Sequence, residues 1–174
     1  HFAPGNAGTA EVGINCDLDP LDFDAVEAHV REHGIDMVVV GPEAPLAAGI
    51  VDHFAKAKGL ESVAVIGPSK EGAQLESSKK FAKEFMKRHR IPTAKFGTFG
   101  KGQTRDALAF LKTMKAPYVV KASGLAAGKG VIICDTMDAA HEAIDHIFDG
   151  AFGEAGAELV IEEFMTGEEA SFFV

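Results

Sequence analysis

The sequence predicts an α/β chain in two parts: a parallel-sheet domain over residues 1–76, then an α+β domain over residues 77–174, each truncated at its outer end. Three observations predict this. Short β-branched runs alternate with amphipathic helical stretches through the first half, the pattern of a parallel sheet covered by helices. Residues 118–134, YVVKASGLAAGKGVIIC, set a glycine-rich loop between two apolar runs too short for helices, which reads as strand, loop, strand. The ends look cut: the chain opens at His1 into a glycine-rich turn and stops inside the apolar run Ser171–Val174.

In order, residues 12–16 read as a weak strand. Residues 23–33 form a helix with Phe23, Val26 and Val30 on one face, and Gly34 at its C′ position. Residues 37–40 are a buried strand candidate. Ile50, Val51 and Phe54 mark a helix closed by Gly59, and residues 63–66 a further strand ended by Gly67-Pro68. Ligands of such a sheet sit at the carboxyl ends of its strands, where the loops 41–45 and 67–69 leave. A helix over 78–89 turns Phe81, Phe85 and Met86 inward. Beyond it come a strand at 95–99, a helix over 104–114 and the glycine-loop hairpin. A helix over 138–148 aligns Ala140, Ala143, Ile144 and Ile147, and a last strand opens at Leu159.

Composition narrows the function. Net charge is −9, from 26 acidic and 17 basic residues, which argues against nucleic acid or an anionic membrane as the main partner. No apolar run approaches membrane-spanning length. Cys16 and Cys134 form no C-x-x-C pair and read as buried reduced thiols, so a cytoplasmic location is expected.

The loop at 124–130 is not a P-loop. That motif needs four residues between its glycines and then Lys-Ser/Thr before a helix. Here Gly124 and Gly128 enclose three residues, Lys129 is followed by Gly130, and a strand comes next. A glycine loop between two strands can still close over a phosphate chain. Its backbone N–H groups can converge on an anion, and Lys121 and Lys129 add charge. The plain alternative is a flexible turn with two solvated lysines. A second cluster, LVIEEFMTGEEAS at 159–171, places Glu162 and Glu163 at a strand end, with Glu168 and Glu169 after a Thr-Gly turn. Strand-end carboxylates can accept hydrogen bonds from an amino group or a ribose hydroxyl. Together, flap and acidic bend read as two walls of one nucleotide cleft.

Residues 121–131, 162–171 and SSKKFAKEFM at 77–86 resemble the ATP-grasp superfamily. With APGNAGTA at 3–10, VVGPEAPLAAGIVD at 39–52 and RIPTA at 90–94, the chain resembles its phosphoribosylamine–glycine ligase family over nearly its whole length. The resemblance implies a preATP-grasp domain at 1–76 and an ATP-grasp domain at 77–174 with a flap subdomain at about 92–167. It implies ATP-dependent joining of glycine to 5-phosphoribosylamine through an acyl phosphate, in de novo purine synthesis. It assigns Lys79 and Lys121 to the ATP phosphates, and Ser123, Gly124, Gly128, Lys129 and Gly130 to the flap. Glu162 and Glu163 fall near the adenine amino group, and the backbone of Phe164 and Met165 reads the adenine edge. Glu169, or Glu168 after a one-residue slip, meets the ribose. Gly5, Asn6, Glu43 and Pro45 face the phosphoribosylamine. Ser123 departs from the Asp of many bacterial members.

The resemblance also implies Mg2+, or Mn2+ in its place, on carboxylates expected beyond Val174. The segment alone is therefore expected to lack ligase activity. Lys121→Ala in the intact enzyme is expected to lose turnover with little loss of stability. Two alternatives stay open: another ATP-grasp ligase or carboxylase, and a non-catalytic nucleotide-binding module. His29 and His33 lie four apart on a helix, a metal-ligand spacing. No third ligand is visible in the sequence, so they read as a solvated face.

Overall fold

The computed structural model describes residues 1–172; Phe173 and Val174, the end of the expected final apolar run, lie outside the described residues. The chain divides into two compact units, His1–Gln74 and Leu75–Val174.

In the first unit, helix α1 (Phe23–His33) starts where Asp22 accepts a hydrogen bond from the Ala25 N–H. It stops where Gly34 takes the left-handed conformation, φ 57°, which a glycine adopts without Cβ strain. Strands β1 (Met37–Val39) and β2 (Ala64–Ile66) pair in parallel with Val38 opposite Val65. Those two valines turn toward the core of Val30, Ile50, Phe54 and Leu60. The expectation that β1 is buried holds for one face alone: Met37 and Val39 are 58% and 68% exposed, because successive side chains alternate across a strand.

Three further expectations are corrected. Residues 12–16 are not a strand; Phe2 and Asn15 form an isolated parallel bridge and Thr9–Glu11 a 3₁₀ turn. A tight knot replaces the strand: Asn6 Oδ1 accepts from the Gly8 and Thr9 N–H groups, and Asn15 Nδ2 donates to the Asn6 carbonyl. Residues 43–45, read as a loop, open helix α2 (Glu43–Ala48), whose first turn tolerates Pro45 because no helical N–H partner is needed there. It is followed by α3 (Ile50–Phe54). Helix α4 (Lys70–Ser77) was not foreseen, since Ala73 is its one buried residue and no apolar stripe announces it.

The second unit starts from helix α5 (Lys79–Arg88). Its N-cap Ser78 accepts from the Phe81 N–H, and Ala82 is buried while Phe81, Phe85 and Met86 are half-buried. Strands β3 (Phe96–Gly100), β4 (Tyr118–Ala122), β5 (Val131–Cys134) and β6 (Glu158–Glu163) form an antiparallel sheet in the order β3-β6-β4-β5. Helices α6 (Thr104–Leu111) and α7 (Met137–His146) cover one face. There Ala107, Leu111, Ala140 and Ile144 pack on Val120, Ala122, Leu159 and Ile161, all fully buried. The expected helix to residue 148 gives way after His146 to a wider π turn, Ile147–Ala151, with Gly150 at φ 97° inside it. No helix among the described residues is long and apolar enough to cross a membrane.

Candidate functional site

The opposite face of this sheet carries the charge. Because side chains alternate, Val119 and Lys121 on β4 point away from α6 and α7, as do Val160 and Glu162 on β6. The register pairs Lys121 with Val160 and Val119 with Glu162. Lys121 therefore reaches Glu162 diagonally, Nζ to Oε2 3.1 Å. Helix α5 supplies a second cation: Lys83 Nζ is also 3.1 Å from Glu162 Oε2, 2.6 Å from Thr93 Oγ1, and 5.8 Å from the Phe96 ring centre. Glu162 is 5% exposed. A carboxylate so far from water is costly to bury without opposite charges of this kind beside it. Lys121 is thus paired with a buried carboxylate before any ligand arrives, where a solvent-facing lysine was expected.

Ser123, buried, ties the root of the flap to the start of α5. Its carbonyl accepts from the Lys79 N–H at 2.8 Å and its hydroxyl from the Lys80 N–H at 3.1 Å. Lys79 Nζ donates to the Gly124 carbonyl at 3.2 Å. Burial, and then the nearby Lys121 ammonium, push the Lys79 pKa below the ordinary lysine value, while Glu76 and Glu162 pull it back. Lys80 is set apart by its own partner: a hydrogen bond to Glu158 raises its pKa.

The glycines of the loop do different work. Gly124 has no room for a side chain, since a Cβ there would lie 2.7 Å from Ala155 Cα, and its N–H donates to the Ala155 carbonyl. Gly130 is similarly crowded by Ala126 and Ala122. Gly128 sits at φ 76° in open space, at an exposed tip with Ala127 and Lys129. The Lys129 N–H closes the turn on the Ala126 carbonyl. In this conformation Gly124 and Lys129 therefore do not offer their N–H groups to an anion.

The acidic bend is only partly united with the lysines. Glu163, next to Glu162 on a strand, points to the other face, where its carboxylate accepts from the Lys95 N–H at 2.7 Å. The two glutamates are not one pair. Phe164 and Met165 follow at 40% and 67% exposure, and Glu168 and Glu169 are exposed beyond them. Flap and bend leave opposite ends of one strand pair, Ala122 lying opposite Leu159 and Tyr118 opposite Glu163. Four strand steps, about 13 Å, part them, with Lys121 and Glu162 between.

Sequence reading missed Lys83, Val131 and Ile133. The last two are 44% and 58% exposed and pair opposite Lys121 and Val119, so they lie on the lysine face with β4 between them and Glu162. The signal was the alternation in Val-Ile-Ile-Cys, whose other members pack inward.

In the first unit, Gly5 has φ 81° and a Cβ there would strike Asn15. Asn6 is committed through Oδ1 to its own turn. Glu43 is exposed at the start of α2, whereas Pro45 is fully buried and is a packing residue.

Among curated proteins, the chain is 52% identical over 175 residues to a phosphoribosylamine–glycine ligase of Ralstonia nicotianae, covering all of this chain and 40% of that protein. It thus spans about 40% of the length of that relative. Among solved structures it is similar to the phosphoribosylamine–glycine ligase of Thermotoga maritima, with TM-score 0.72 and 31% identity over 95% of this chain and 37% of that one. It shares its fold with the biotin carboxylase domain of a Hydrogenobacter thermophilus 2-oxoglutarate carboxylase in complex with MgADP. There the TM-score is 0.63 at 24% identity, over 87% of this chain and 34% of that one. Family models match in succession, the phosphoribosylglycinamide synthetase N domain over residues 1–76 and its ATP-grasp (A) domain over residues 77–174. Matched end to end by both domains, the chain belongs to the phosphoribosylglycinamide synthetase family.

Proposed function

We propose that the chain is the part of an ATP-dependent ligase that holds the nucleotide, in an enzyme joining glycine to 5-phosphoribosylamine to give glycinamide ribonucleotide, ADP and phosphate. The observation that carries this is the sheet face under α5 where Lys83 and Lys121 pair with the buried carboxylate of Glu162 and Lys79 stands near them. Three ammonium groups against the carboxylates of Glu162 and the nearby Glu76 still leave an excess of positive charge, which a polyphosphate would neutralise. The relatives' names and the family membership support the choice of glycine and phosphoribosylamine as substrates.

ATP supplies a phosphoryl group that turns a carboxylate oxygen into a leaving group. The chain's residues bind, orient and exclude water. Lys121 and Lys79 take the phosphate chain and lower its repulsion toward an incoming carboxylate. Glu162 fixes the Lys121 ammonium in place. Val131 and Ile133 offer an apolar floor on the same face, suited to a base whose edge is read by the backbone near Phe164 and Met165. The exposed tip at Gly128 and Lys129 is the part free to fold over the phosphates. Mg2+ would enter with the nucleotide; Glu162, held by two lysines, is not offered as its ligand.

Two measurements test this. Titration of the chain with a fluorescent ATP analogue should show binding that weakens at least tenfold in Lys121→Met. In the intact enzyme, ADP release should require both glycine and phosphoribosylamine. Binding unaffected by Lys121→Met would refute the site, and release driven by bicarbonate in place of glycine would refute the substrate.

A further inference from the structure

His29 and His33 do not form a solvated face of their own. The first residue of the chain returns to them: His1 Nδ1 lies 2.9 Å from His29 Nε2. Ligand nitrogens of His1, His29 and His33 all lie within 4.8 Å of one another. The rings are packed together, with centroids 4.0 Å apart for His29 and His33 and 4.8 Å for His1 and His33. A thiol joins them. Cys16, 7% exposed, places Sγ 3.4 Å from His29 Nε2 and 3.6 Å from His1 Nδ1.

The local fold explains the gathering. The short bridge between Phe2 and Asn15 is held by Phe2 N–H to Ile14 O at 2.7 Å and Cys16 N–H to Phe2 O at 2.8 Å. It sets His1 and Cys16 side by side. Spacing of four on α1 puts His29 and His33 on one helix face beneath them. The His33 Nδ1–H donates to the His29 carbonyl at 3.1 Å, leaving Nε2 of His33 as its bare nitrogen. A hydrogen bond from the outer ring nitrogen is the usual way a ligating imidazole is oriented.

We propose that His1, His29, His33 and Cys16 form a binding site for a transition-metal dication of the zinc class, tying the first residues of the chain to α1. Three imidazoles and a thiolate are donors that suit Zn2+ and disfavour Mg2+ or Ca2+, which take oxygen ligands. A tetrahedral Zn2+ at ordinary bond lengths separates its nitrogen ligands by about 3.3 Å and a nitrogen from a sulfur by about 3.6 Å. The sulfur–nitrogen distances of 3.4 and 3.6 Å lie close to that value, His1 and His29 need open by only a few tenths of an ångström, and His33, whose ligand nitrogen lies within 4.8 Å of the other two, has to move inward. His1, Cys16 and His29 also line a cavity of about 220 Å³, which gives an ion a route from solvent. The site lies on the first unit and shares no residue with the nucleotide face.

The test uses the full chain, prepared without a histidine tag and stripped with chelator, then titrated with Zn2+ against an indicator dye and separately with Co2+. The expected result is one tightly bound equivalent, with Co2+ absorption showing tetrahedral geometry and a thiolate ligand. Binding should weaken at least tenfold in both His29→Ala and His33→Ala. Cys16→Ser should abolish the thiolate band. Zn2+ should slow alkylation of Cys16 at least tenfold by peptide mass mapping, without slowing that of Cys134. If His29→Ala does not fold, the exposed His33→Gln takes its place in the series. Failure of the chain to bind a stoichiometric equivalent, or wild-type affinity in the folded histidine variants, overturns the proposal.

Discussion

Glu162 is the residue on which the charged face depends. Its carboxylate is shared by Lys83 and Lys121, so removing it strands two partly buried ammonium groups. Glu162→Ala should cost about 3 kcal/mol in urea denaturation, within the range for breaking a buried pair from one side. Lys121→Met should cost less, about 1 kcal/mol, because Lys83 still faces the carboxylate. Lys79 adds a pH dependence. Its folded pKa lies below the unfolded value, so between the two the unfolded chain holds more protons, and this group's contribution to stability rises with pH across that alkaline window. An anion on Lys79 favours the protonated form, so affinity for an ATP analogue should fall as pH climbs through the same window. Titrations at a series of alkaline pH values, in which Lys79→Met should show a shallower fall than the unaltered chain, check the sign. Lys79, Lys121 and Glu162 were legible in the sequence because their motifs are local. Lys83 was not, since only the packing of α5 against β6 shows that it reaches Glu162. Nor was the parting of Glu162 from Glu163, which follows from strand alternation once the register is known.

At the scale of elements, the flap hairpin divides into a fixed root and a loose tip. Gly124→Ala would force a methyl to 2.7 Å from Ala155 Cα. It should destabilise by about 1–3 kcal/mol, the usual cost of overpacking. Gly128→Ala meets no neighbour but keeps a positive φ, and should cost about 1 kcal/mol. If both variants lose equal stability in denaturant melts, the division into root and tip is wrong. The helices α1, α5, α6 and α7 and the hairpin β4–β5 were legible from periodicity and caps. Helix α4 was not, because most of it is exposed, and α2 was hidden by two prolines that look like loop residues but sit at its start.

At the scale of the whole chain, each unit has its own core, around Ile50 and Phe54 in the first and Leu111 and Ile144 in the second. Phe54→Ala should lower the stability of the first unit by about 3–5 kcal/mol, and Leu111→Ala that of the second by about 2–5 kcal/mol. Hydrogen exchange resolved by segment should show each loss within the unit that carries the change. The parallel pairing of β1 with β2 was legible from the alternation of strands and helices. The strand order of the second unit was not, since nothing local in residues 158–163 says between which neighbours they insert.

That insertion has a consequence for birth on the ribosome. The strand made last of the four, β6, takes an interior place between β3 and β4. Until Glu158–Glu163 emerge, those two older strands wait with unsatisfied edges. At translation speeds of 5–20 residues per second, the interval from Cys134 to Glu158 leaves the nascent hairpin open for about 1–5 s. Slowed elongation while that interval emerges from the ribosome should lengthen the exposure and raise the demand for chaperones, whereas slowing before β4 is made should not.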